Sequence, residues 1–126
     1  MKEATAKRLT KAEAAIRAAE ILLGADHSDF AAGRAYYAMF YSAEALLFEQ
    51  GLRFRTHGDV HGAFGQHFSK TGVLPRELHQ WLLVGYDQRI TGDYWTDSSV
   101  STEEVQEMIE HARQFLDETR RYLEGH

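Results

Sequence analysis

Two arginines and two histidines carry the chemistry this sequence could support. Arg55, His57 and His61 fall within one seven-residue stretch, and Arg89 follows later in the chain. Cleavage of a ribose–phosphate chain without metal needs a base for the 2′-hydroxyl, an acid for the leaving 5′-oxygen and a cation for the charge that gathers on phosphorus. An arginine with a histidine is the smallest set that supplies all three. Five residues lie between Arg55 and His61, and His57 stands closer still. The plainer alternative makes Arg55 and Arg89 ordinary ion-pair partners of Asp59, Asp87 or Asp93. Binding asks less than cleavage: Arg53, Arg55 and the free N–H groups of a helix starting near Thr56 would form a small anion site. His57 and His61 also have the i, i+4 spacing of a metal pair, but no third ligand can be identified, so neither metal nor cofactor is expected.

A second set joins cations to aromatic rings. Arg34, Tyr37, Tyr41 and Glu44 recur at i, i+3, i+7 and i+10, a ridge suited to stacking on a base. The simpler reading has Arg34 held by Glu44 or by a carboxylate of another helix, with tyrosine hydroxyls completing the network. Asp93, Tyr94 and Trp95 bring an acid and two rings together, as a groove or a dimer seam would.

These residues need a scaffold, and composition limits what it can be. The chain has 126 residues, 44% of them hydrophobic and 26% charged, which suits one globular domain with a core of its own. Cysteine is absent, so no disulfide holds it, and no stretch approaches the length of an apolar membrane span. A cytoplasmic protein without membrane attachment is the expectation. The formal charge of −5 argues against a protein that grips nucleic acid by general phosphate attraction, so any such contact has to be local.

Periodicity gives helices throughout and no sustained period-two alternation. Leu9, Ala12, Ile16, Ala19 and Leu23 predict a helix over about residues 4–23, with Gly24 as a left-handed C-cap. Ser28 is placed to cap a second helix running to Gln50 and ended by Gly51. Tyr36, Phe40, Ala43 and Leu47 form one apolar stripe of that helix, and Ala31, Ala35, Ala38, Ser42 and Ala45 form another. A helix with two such stripes belongs in the centre of a bundle. Thr56 and Asp59 mark the start of a third helix to about Lys70, made short or irregular by Gly58, Gly62 and Gly65. Pro75 sets the first turn of a fourth helix, which carries Leu78, Trp81, Leu82, Gly85 and Arg89 along one side, and a loop is expected from Gly92 to Val100. Ser101 and Glu104 make a capping box before a strongly amphipathic fifth helix. The fold class is all-α, an antiparallel up-and-down bundle of four to five helices.

The run Arg34-Ala35-Tyr36-Tyr37-Ala38-Met39-Phe40-Tyr41-Ser42-Ala43-Glu44-Ala45-Leu46-Leu47, then Gly51, then Arg55-Thr56-His57-Gly58-Asp59-Val60 leading to Phe64, resembles the prokaryotic HEPN family. Phe68-Ser69-Lys70-Thr71-Gly72, Arg89-Ile90-Thr91-Gly92-Asp93-Tyr94 and Ala112-x-x-Phe115-Leu116 extend the likeness over roughly residues 8–120. The resemblance implies a homodimeric helical bundle, often encoded beside a minimal nucleotidyltransferase as its partner, in which many members are RNA-cutting toxins and others lack activity. A two-fold axis would bring Arg89 of both copies together. Active members resemble one another in an arginine followed, after four to six residues, by a histidine late in the domain. Here Arg89 is followed by Asp93-Tyr94-Trp95, with no histidine before His111. The expectation is therefore nucleotide or RNA binding through Arg34, Tyr37, Arg53, Arg55, His57, Arg89, Asp93 and Tyr94. An endoribonuclease using Arg55 or Arg89 with His57 or His61 is the alternative.

Overall fold

A computed structural model describes residues 1–94 and 99–125. Among them five α-helices follow one another, α1 (Glu3–Gly24), α2 (Ser28–Glu49), α3 (His57–Phe64), α4 (Glu77–Tyr94) and α5 (Thr102–Glu124), and there is no strand. The chain is an all-helical bundle around α2, which packs against α1, α3, α4 and α5.

The central place of α2 follows from its side chains. Ala31, Ala35, Ala38, Ser42 and Ala45 are fully buried, as is Tyr36, and Phe40, Ala43 and Leu47 are buried with them. Small side chains on one stripe let neighbouring helices approach, while the large ones fill the space opposite. Both stripes expected from the spacing are present. The second half of the core is aromatic: Phe64 lies 5.2 Å from Phe115 and 5.7 Å from Phe68, ring centre to ring centre. All three are fully buried.

The helix ends depart from expectation in places. Gly24 is still helical, and the left-handed residue is Asp26 at φ 65°, two positions later. Ser28 is the first helical residue rather than a cap, preceded by His27 with no side-chain cap. Gly51 does close α2 in the left-handed region, at φ 79°. Residues 92–94, expected to open a loop, are instead the last turn of α4, with Gly92 buried against the start of α2. A methyl group on Gly92 would overlap the Asp29 carbonyl oxygen. The Asp29 carboxylate accepts the Val100 N–H at 2.8 Å and so ties the approach to α5 to the same corner. Trp95 falls outside the described residues.

Thr56 caps α3 as expected, its hydroxyl accepting the Asp59 N–H at 3.1 Å. The predicted irregularity is a π-helical turn over Gly65–Ser69, where the Lys70 N–H reaches back to the Gly65 carbonyl at 2.7 Å. Losing the cap should loosen the turn that carries His57. Thr56→Ala is expected to cost about 1 kcal/mol, and amide exchange should quicken first at residues 58–60. Unchanged exchange there would show that packing alone holds the turn. Ser101 and Glu104 form the full capping box at the start of α5, each side chain bonded to the other's backbone N–H.

Candidate functional site

The site begins at a buried phenol. Tyr36 points from α2 toward α3, and its hydroxyl stands 2.7 Å from His57 Nδ1 and 2.7 Å from His61 Nε2. The i, i+4 spacing that suggested a metal pair instead aims both imidazoles at one oxygen. Among the described residues no group of three or more His, Cys, Asp or Glu side chains converges on a metal position.

The two imidazoles sit in different surroundings. His61 is buried at 6% exposure and its pKa falls to about 4, because burial penalises the cation and His57 and His79 add like charge. His79 closes the far side, its Nε2 3.2 Å from the His61 carbonyl oxygen. His57 is half-buried, stacked on Phe40 with ring centres 4.3 Å apart. Its pKa also lies below the ordinary value, first through burial and then through the Arg89 guanidinium. Both histidines are therefore neutral at pH 7. His57 Nε2 forms no hydrogen bond among the described residues and is not among the buried unpartnered atoms, so it is open to solvent.

Arg89 completes the group from α4. Its guanidinium carbon lies 5.4 Å from the centre of the Tyr37 ring and 5.8 Å from that of Tyr94. Nε stands 3.3 Å from an Asp93 oxygen, within ion-pair range but without the alignment of a hydrogen bond. Gly33 lies beneath the pair, where an added methyl would touch both Asp93 and Arg89. No histidine follows Arg89 at the spacing of active HEPN members. Instead the fold sets His57 of α3 near enough for the arginine's charge to shift its pKa.

The remaining candidates differ in place. Arg34 makes no ion pair among the described residues and lies over Tyr37 at 4.8 Å, so its expected pairing with Glu44 is not formed. Glu44 pairs with Arg8 at 3.3 Å, and burial still holds its carboxyl above the usual range. Arg53 folds onto the Phe48 ring at 4.3 Å, near the far end of α2, and Arg55 is exposed without an ion pair among the described residues. Arg89, His57, Tyr37, Asp93 and Tyr94 thus gather at one place, and Arg53 and Arg55 stand apart. Tyr36 was missed because it reads as one more member of an apolar stripe. The signal was available: a buried tyrosine hydroxyl needs a partner, and two histidines at helical spacing offered one.

An all-α bundle with arginine and histidine set against tyrosines on a central helix defines a class, and the comparisons give the family. The HEPN domain model matches residues 5–122, and this chain belongs to the HEPN domain family. It is similar to a Methanocaldococcus jannaschii protein named "Putative toxin MJ0142", with 34% identity covering 93% of this chain and 80% of that one. A UPF0332 protein of Gloeobacter violaceus is 34% identical over 91% of this chain and 92% of its own length. Another, from Thermotoga maritima, is 37% identical over 84% of this chain and 80% of its own. No described helix is long and apolar enough to cross a membrane.

Proposed function

We propose that this protein is a cytoplasmic, homodimeric, toxin-like HEPN protein that binds the phosphate backbone of RNA or a nucleotide at Arg89, His57 and Tyr37. We place it in a two-component module with a minimal nucleotidyltransferase. The name borne by the Methanocaldococcus relative supports the toxin side of this reading. The observation that carries the site is the state of Arg89: a cation laid across tyrosine rings, beside a neutral imidazole, and held by Asp93 without an aligned hydrogen bond. A phosphate can recruit such a guanidinium through its outer nitrogens while the ring of Tyr37 offers a face to a base. Tyr94 and Arg34 flank the position, and Arg53 and Arg55 would meet only a longer strand.

The test is fluorescence anisotropy with a short single-stranded RNA in EDTA. Arg89→Ala should weaken binding by about tenfold, the loss of one charged phosphate contact, whereas Asp93→Asn should leave it equal or tighter. Wild-type affinity in Arg89→Ala would end the reading. Cleavage is favoured by one observation, a neutral imidazole with an open Nε2 near an arginine, which is the pairing of base and cation that metal-free RNA cleavage requires. Total RNA incubated in EDTA decides the matter. Sustained cutting, lost in both Arg89→Ala and His57→Ala, would replace recognition by catalysis.

A further inference from the structure

A hydroxyl carries one hydrogen, and the Tyr36 hydroxyl has an imidazole nitrogen at 2.7 Å on each of two sides. It can donate to only one of them. The other nitrogen must then carry its own hydrogen and donate to the phenol oxygen. Two arrangements satisfy the phenol and both nitrogens that face it. In the first, Tyr36 donates to His57 Nδ1 and accepts from His61 Nε2–H, so both histidines carry hydrogen on Nε2. In the second, His57 Nδ1–H donates to Tyr36, which donates to His61 Nε2, so both carry hydrogen on Nδ1. A mixed pair fails. With hydrogens on both facing nitrogens the phenol hydrogen loses its acceptor, and with hydrogens on neither, two lone pairs contest one hydrogen. Tyr36 is fully buried, so water does not repair either fault.

We propose that Tyr36 is a positioning residue that locks His57 and His61 into the same tautomer, and through that lock decides whether the outward Nε2 of His57 donates or accepts. Burial holds the Tyr36 hydroxyl above the usual phenol range, so it keeps its hydrogen in both arrangements. The rings around it favour a fixed geometry: Phe40 stacks on His57, and Tyr86 lies within 5.4 Å of His57 and 5.2 Å of His61. Passing from the first arrangement to the second balances as follows. His57 Nε2 releases a proton to solvent, and His61 Nδ1, which has no hydrogen-bond partner among the described residues and is not fully enclosed, takes one from solvent. Two hydrogens shift across the phenol, from Tyr36 to His57 and from His61 to Tyr36. A ligand oxygen that needs a donor selects the first arrangement, and a hydroxyl that offers a hydrogen selects the second. Contact at His57 is thereby written into His61, which is buried.

The lock itself needs no ligand, and only its response to one rests on the phosphate-binding reading. Protein with ¹⁵N-labelled histidine, studied near neutral pH by long-range ¹H–¹⁵N spectra, shows which nitrogen of each ring is protonated. His57→Gln and His61→Gln assign the signals. The expected result is one shared tautomer, or one shared mixture, at both positions. One histidine protonated on Nδ1 and the other on Nε2 would overturn the lock. Uridine monophosphate is then added. Signals of His57 and His61 should move together toward the Nε2–H form in the wild type, and only that of His57 in Tyr36→Phe. Movement of His57 alone in the wild type defeats the lock. No movement of either leaves the ligand-free pairing to decide the lock and counts against phosphate binding at His57 instead. Should Tyr36→Phe fail to fold, the wild-type spectra still decide.

Discussion

Acidification from about pH 7.5 to about pH 4.5 is expected to remove about 2.5 kcal/mol of folding stability through His61 alone. The folded pKa of this residue is about 4, below the ordinary histidine value of 6.5. In the window between those values the unfolded chain binds a proton that the folded chain refuses, so stability is whole above the unfolded pKa and drains away as pH falls toward the folded one. His57, lowered in the same direction, adds to the loss. Glu44 works in the opposite sense, since burial raises its folded pKa and its protonation favours the folded state. Urea titrations at the two pH values measure the difference, and His61→Gln should flatten most of it. An equal loss in that variant would place the acid sensitivity elsewhere.

Gly92→Ala should cost about 3 kcal/mol, the upper range for a methyl group forced into a packed contact. The obstacle is the Asp29 carbonyl oxygen, part of the α2 backbone, which cannot rotate aside. Gly85 supplies the control. A methyl there would come 2.8 Å from the terminal carbon of Met39, the free end of a flexible side chain, and Gly85→Ala should cost about 1 kcal/mol. Urea unfolding compares the two. Because Asp93 follows Gly92 directly, pushing α4 off α2 also draws the Arg89–Asp93 pair away from Gly33, and RNA affinity should fall with stability only in Gly92→Ala. Equal costs for the two substitutions would mean that the corner gives way and that the close approach holds nothing.

Most of the fold was legible because burial writes a period into the chain. The two stripes of α2, the capping box at Ser101 and Glu104, and the glycine-broken third helix each follow from local chemistry. The helix ends were read less well. Gly24 and Gly92 look like stops; Gly24 is the last helical residue, with the left-handed turn two positions on at Asp26, whereas Gly92 admits the Asp29 backbone, a contact that only tertiary packing sets. The site shows the same limit. His57 and Arg89 were each named, yet their nearness joins α3 to α4 over a turn of α2, and no spacing along one helix encodes it. Arg34 and Glu44 had the right periodicity to meet and did not, since Arg8 of α1 reached the carboxylate from outside the helix.

The enclosure of α2 bears on how such a protein can diversify. Tyr36 stands on an element where nearly every position from Ala31 to Phe48 is buried, with Arg34, Tyr37 and Tyr41 as the half-open exceptions. Variation there is penalised before any effect on ligand is felt. Substitutions that alter specificity at least cost to the fold fall at the end of α4, where Asp93 and Tyr94 are exposed, and around half-buried His57 at the start of α3. A change at the phenol is felt first in stability, and one at the exposed rim chiefly in affinity.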